Sequence, residues 1–187
     1  MLNGAWATQL RQLPWGVIAA IVGLGGFGLV ILYSAAGGSL QPWAMKQGIR
    51  FAVLLLAMLV LSRVPVETWL RWAYPLYAAV LLGLVGVEVL GAIGGGSRRW
   101  LDLGLIQIQP SEFMKLAIIL ALARFYHFVP RHFAGSLAAL WPPLLLIAMP
   151  AALVMLQPDL GTALAISFGG VMVMFLAGVS IWLFIGA

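Results

Sequence analysis

Five formally charged side chains stand between positions 98 and 115 of a chain that has only ten Lys/Arg and five Asp/Glu in 187 residues. They lie in two runs, Arg98-Arg99-Trp100-Leu101-Asp102-Leu103-Gly104 and Pro110-Ser111-Glu112-Phe113-Met114-Lys115. Charge kept at or inside a hydrocarbon boundary is costly, so such a concentration marks a working segment. Two guanidiniums beside an indole suit a phosphate at a membrane surface, because Arg offers a forked donor set to phosphate oxygens. An interfacial anchor is the other reading of Arg98, Arg99 and Trp100.

Gln109-Pro110-Ser111-Glu112 reads as the start of a helix. Ser111 is a good N-cap, and Glu112 falls in the first turn, where the helix dipole favours an anion. Lys115 fits neither role. Three residues after Glu112, it shares a helix face with it and can pair with it. Gln157-Pro158-Asp159-Leu160-Gly161-Thr162 repeats the pattern, with Asp159 as the expected cap. We expect Glu112, Lys115 and Asp159 to form one polar cluster facing a cavity. Such a pocket suits proton handling, cation binding, or a phosphate bridged by Lys115 and the arginines. Glu88 is explained as well by interface exposure as by function. His127 and His132 flank a turn with no carboxylate or cysteine nearby, so no metal site is expected. Gly23-Leu24-Gly25-Gly26-Phe27-Gly28 matches a dinucleotide-binding pattern but lies within an apolar stretch, where close helix contact is the better account.

These residues need elements to position them, and composition says which. Hydrophobic residues make up 64% of the chain, charged residues 8%, and mean hydropathy is +1.09. An ordinary soluble domain carries about 25% charged residues. The chain is therefore expected to be an all-α, polytopic transmembrane helix bundle. Six spans can be read: Trp15 to Tyr33, roughly Ile49 to Val66, Ala73 to Ile93, one that starts after Ser111 and ends near Phe128, Leu137 to Leu156 and Leu160 to Leu176. Pro142 and Pro143 should tighten or kink the fifth. A seventh span starts at Ser180. The whole is read as one transmembrane domain, 1–187, the N-terminal part of a longer protein. Gly94-Gly95-Gly96-Ser97 reads as a flexible joint opening the loop after span 3. With the N-terminus cytoplasmic, the cytoplasmic side holds Arg11, Arg63, Arg71, Arg124 and Arg131. The opposite side holds Lys46, Arg50, Arg98 and Arg99. That is a weak positive-inside bias, which points Arg98 and Arg99 toward a task other than topology. There is no cysteine, which excludes disulfides and thiolate chemistry. No basic run is interleaved with aromatics, which argues against nucleic acid.

The two long motifs, with Lys46-Gln47 and Arg50 at the head of span 2, resemble the SEDS family (shape, elongation, division, sporulation). Asp102 and Leu160 resemble its rod-shape, RodA-type branch. The resemblance covers essentially the whole chain. It implies a protein of about ten spans in the bacterial cytoplasmic membrane. It also implies a peptidoglycan glycosyltransferase that polymerises lipid II on the outer face during cell-wall elongation. There the acceptor's 4-hydroxyl attacks the donor's anomeric carbon, and undecaprenyl pyrophosphate leaves. Glu112, Lys115 and Asp159 match cavity positions with a supporting role, while the general base is expected beyond Ala187. The present chain alone is therefore expected to be inactive. Arg98, Arg99, Trp100, Gln109 and Ser111 are the candidate substrate contacts. No organic cofactor is implied, and a divalent cation is left open. The implied partners are lipid II, membrane lipid and a class B penicillin-binding protein transpeptidase. A lipid-linked-sugar flippase or ion-coupled transporter, and a non-catalytic scaffold, remain alternatives, since charges within spans serve transport equally well.

Overall fold

The computed structural model describes residues 13–90, 92–94, 97–102, 107–130, 133 and 136–180. It contains helices α1 (Trp15–Ala35), α2 (Trp43–Leu61) and α3 (Val66–Leu90), strands β1 (Ala92–Gly94), β2 (Ser97–Asp102) and β3 (Gln107–Ile108), and helices α4 (Pro110–Phe128), α5 (Leu137–Leu156) and α6 (Leu160–Leu176). The expected start of a seventh span at 181–187, His132 and the side chains of Arg98 and Asp102 lie outside the described residues. Four helices are long and apolar enough to cross a membrane, α1, α2, α3 over Val66–Glu88 and α5 over Ala139–Leu156, and α6 is a shorter apolar helix. With 19 residues α4 is also long enough, but it carries Glu112, Lys115 and Arg124. The chain is a multi-pass helical membrane protein.

The helices start earlier than the apolar runs suggest. The second begins at Trp43 rather than Ile49, and the third at Val66 rather than Ala73. In both, a proline, Pro42 or Pro65, precedes the start, and polar residues such as Lys46, Gln47, Glu67 and Thr68 fall within the first two turns. Proline ends the preceding chain direction, and Lys, Gln, Glu and Arg are sound helix formers, so the helix reaches back past the apolar boundary. Lys46 and Arg50 therefore lie within α2, four residues apart on one face.

The Cα framework divides into two compact units, Met1–Val64 and Pro65–Ala187. In the first, α1 packs on α2. No residue of α1 is buried, and Ala44 is the one buried residue of α2. A helix apolar all round fits a membrane span. A Cβ on Gly25 would lie 2.4 Å from the Phe51 ring, so one glycine of the small-residue run does permit close contact.

In the second unit, α3 packs on α4, α5 on α6, and α4 also on α6. Each helix gives a stripe to a shared core. Met114, Ala117, Ile118, Ala121 and Leu122 of α4 meet Leu84 of α3, Ile147 and Val154 of α5, and Ile166 and Met174 of α6. The spacing is that of one helix face. Gly170 lets α5 approach, since a Cβ there would lie 2.5 Å from Ile147 Cγ1.

Three prolines lie inside α5, and one, Pro75, inside α3. A helical proline lacks the N–H that would bond the carbonyl four residues back. Helix α5 stays continuous through Pro142 and Pro143, with Ser136 capping it by accepting from the Ala139 amide at 3.2 Å. Side chains from neighbouring helices satisfy two of the freed carbonyls. The Tyr77 hydroxyl donates to Leu146 O, freed by Pro150, at 2.8 Å. Arg124 Nη1 donates to Arg71 O, freed by Pro75, at 2.8 Å, and also to Leu70 O. The Arg124 guanidinium sits 4.9 Å from the centroid of the Tyr74 ring. Within hydrocarbon such donors substitute for absent water.

The segment between α3 and α4 is not the open loop expected. It forms a small antiparallel sheet in the order β1-β2-β3. Gly94 pairs with Ser97, so β1 and β2 flank the glycine run. Leu101 pairs with Ile108, which delivers the chain into α4.

Candidate functional site

The two Gln-Pro motifs converge on one turn of α3. A Cβ on Gly83 would lie 3.3 Å from Pro110 Cβ, so the head of α4 lies against this glycine. One residue on, Leu84 O accepts from Gln157 Nε2 at 3.4 Å. The start of α4 and the α5–α6 turn are thus level with each other. Helix α3 runs on to Leu90, about 10 Å further at the helical rise. Strand β2 packs against both α3 and α4. The polar motifs therefore lie below the tip of α3, in a layer that the sheet joins.

At the head of α4, Pro110 takes the first helical position, so the cap position falls on Gln109, which makes no side-chain cap bond. Ser111 is not the cap that was expected. It sits inside the first turn and is 2% exposed. Proline's fixed φ favours the first helical position, and this moves the cap two residues upstream, from Ser111 to Gln109. Glu112 and Lys115 pair as expected, with Nζ donating to Oε1 at 2.8 Å. Their side chains remain 52% and 34% exposed, so the pair is accessible.

At the second motif Asp159 caps α6, with Oδ1 accepting from the Thr162 amide at 3.1 Å. Its other oxygen faces Arg99, Nη1 to Oδ2 at 3.4 Å. Arg99 also donates from Nε to Gln157 O at 3.1 Å and from Nη2 to Pro158 O at 2.6 Å. Two ion pairs form among the described residues, Glu112–Lys115 and Arg99–Asp159. The sequence grouped Arg99 with Arg98 for an anion and missed its reach to the turn. No short-range signal reports a contact between residues 58 apart.

Trp100 is half-buried on β2, where its backbone pairs with Ala92, and Arg98 pairs with Ile93. Gln109 is half-buried, while Glu88 near the end of α3 and His127 in the last turn of α4 are exposed. Among the described residues no three His, Asp or Glu side chains gather in a metal-binding group.

A family model described as cell cycle protein, FtsW/RodA/SpoVE, matches residues 14–187. The peptidoglycan glycosyltransferase MrdB of Escherichia coli K12 is 38% identical over 161 residues, 86% of this chain and 42% of its own. A probable peptidoglycan glycosyltransferase FtsW of Burkholderia thailandensis is 30% identical over 200 residues, 100% of this chain and 43% of its own. The rod shape determining protein RodA of Thermus thermophilus superposes with a TM-score of 0.79 at 36% identity, over 94% of this chain and 57% of its own. A chain of a peptidoglycan synthase complex, whose structure concerns coordination of polymerization and crosslinking, superposes with a TM-score of 0.82 at 34% identity, over 94% of this chain and 51% of its own. The chain spans about half the length of the relatives it matches.

Proposed function

The chain belongs to the FtsW/RodA/SpoVE family, and from that premise we propose that the intact protein is a peptidoglycan glycosyltransferase of the RodA type. It polymerises lipid II into glycan strands on the outer face of the bacterial cytoplasmic membrane, during elongation of rod-shaped cells. The observation that carries this reading is the 38% identity to a peptidoglycan glycosyltransferase. The site supports it: both Gln-Pro motifs reach one level of the bundle, beside an exposed Glu112–Lys115 pair.

Transfer requires a base for the attacking 4-hydroxyl and positive charge for the departing pyrophosphate. Arg98 is assigned that charge, and Trp100, Gln109 and Ser111 are assigned to substrate contact. Glu112, Lys115 and Asp159 support the centre, and the general base belongs to the portion beyond Ala187. The working partner is a class B penicillin-binding protein transpeptidase, a reading supported by the likeness to a chain of a peptidoglycan synthase complex. The N-terminus is cytoplasmic and the β1–β3 segment is outside.

The test is polymerisation of fluorescent lipid II by the purified intact gene product, with no other glycosyltransferase present. A ladder of glycan strands is expected. Substrate left unpolymerised, with or without its transfer across vesicle membranes, would overturn the reading.

A further inference from the structure

We propose that Arg99 is a positioning residue that holds the α5–α6 turn, and with it the Asp159 carboxylate, in place against the sheet. Only the kinetic part of its test rests on the glycosyltransferase reading.

The observation is a three-point contact. Three nitrogens of one planar group meet three consecutive residues: Nε on Gln157 O, Nη2 on Pro158 O and Nη1 facing Asp159 Oδ2. Only a guanidinium offers that fork, since an ammonium is a single point of charge. The partners need such a donor. Gln157 is the C-cap of α5, and the carbonyls at a helix end lack intrahelical N–H partners. A cation is also favoured there by the helix dipole. Asp159 divides its oxygens, with Oδ1 on the α6 cap and Oδ2 toward Arg99, so one carboxylate joins the cap to the clamp. The arginine is 29% and the aspartate 16% exposed, which limits screening by solvent. Without Arg99 the turn keeps the longer Gln157 tie to α3, at 3.4 Å. The clamp therefore fixes where Asp159 and the start of α6 stand relative to the sheet. Arg99 acts on the site through Asp159 rather than by touching the phosphate.

Arg99→Gln, Arg99→Lys, Asp159→Asn and the double variant Arg99→Gln/Asp159→Asn should be made in the intact gene product and reconstituted in nanodiscs. Hydrogen exchange in the segment 157–164 reads the turn directly. Arg99→Gln should speed exchange there about tenfold, the size of one lost charged hydrogen bond, with Arg99→Lys giving a smaller rise. In lipid II polymerisation kcat should fall while KM stays within about twofold. Arg99→Gln should add little once Asp159→Asn is present, as expected for residues acting as one unit. Unchanged exchange at 157–164 in Arg99→Gln overturns the proposal. So does a raised KM with unchanged kcat, which would give Arg99 to the pyrophosphate. If Arg99→Gln does not fold, Arg99→Lys decides by the same exchange measurement. Failure of the unsubstituted protein to polymerise lipid II would sink the glycosyltransferase reading, while the exchange result still decides the role of Arg99.

Discussion

Tyr77→Phe removes one hydroxyl from the middle of α3 and leaves the ring in place. That hydroxyl donates at 2.8 Å to Leu146 O, and Tyr77 is 6% exposed. The helical donor to that carbonyl would be the amide of residue 150, which is proline. Stranding a buried acceptor costs about 1–3 kcal/mol in soluble proteins. Between membrane helices, side-chain hydrogen bonds average about 0.6 kcal/mol and reach about 1.7 kcal/mol, because chains unfolded in the membrane also find partners. Leu146 O has lost its helical partner, so the upper part of the membrane range applies. We expect a loss of about 1–2 kcal/mol. Pro150→Ala returns an N–H to the helix. Pro150 is fully buried, so that change carries a packing cost of its own, which a double-mutant cycle removes. The coupling should be about 1 kcal/mol, with the double variant more stable than the sum of the single losses. The assay is reversible unfolding in bicelles, with membrane insertion checked separately. Additivity within about 0.3 kcal/mol would refute the claim that this hydroxyl replaces the missing proline donor.

Arg124 serves the same purpose for Pro75, so Arg124→Gln should cost about 1.5–3 kcal/mol by the same assay. Pro75→Ala should recover part of this loss, because it serves Arg71 O but not Leu70 O. Gly170→Ala places a Cβ 2.5 Å from Ile147 Cγ1 and 3.3 Å from Leu122 Cδ1. It should destabilise by about 1–3 kcal/mol, and Ile147→Ala should relieve much of that penalty. The chain has no cysteine, so Ser97→Cys gives a single label site within these 187 residues. It should react with an impermeant thiol reagent in intact cells, and labelling only after lysis would reverse the proposed orientation.

Much of the bundle is legible in the sequence, because a span declares itself by length and apolarity. Helices α5 and α6 begin and end where the apolar run and the Asp159 cap place them. The misplaced boundaries, at α2 and α3, fall where a helix continues into polar residues that hydropathy cannot separate from a loop. The small sheet escaped because its strands are short and their pairing is tertiary information. Glu112–Lys115 was legible since a spacing of three fixes a face. The Asp159–Arg99 pair was not, because that contact depends on how β2 lies over the helices, which is tertiary information. The prolines fall between these cases. A proline at position 75 or 150 announces that the carbonyls of Arg71 and Leu146 need a donor. It cannot say that Arg124 and Tyr77 supply it.

The repeated Gln-Pro motif shows how context divides one local signal into two functions. Before Pro110 the chain arrives extended from β3, so the proline can open α4 directly and Ser111 enters the first turn as a buried residue. Before Pro158 the chain is leaving α5, and Gln157 is already its C-cap. A second helix cannot start until the direction has changed, so the proline falls in the turn and Asp159 becomes the cap. The consequence reaches the chemistry. Asp159 commits one oxygen to the Thr162 amide and turns the other to Arg99. Glu112, in the first turn of α4, bonds Lys115 through Oε1 and stays half exposed. Of the two carboxylates, Glu112 is therefore the more accessible, together with its lysine, and Asp159 the one tied into the frame by the cap and Arg99.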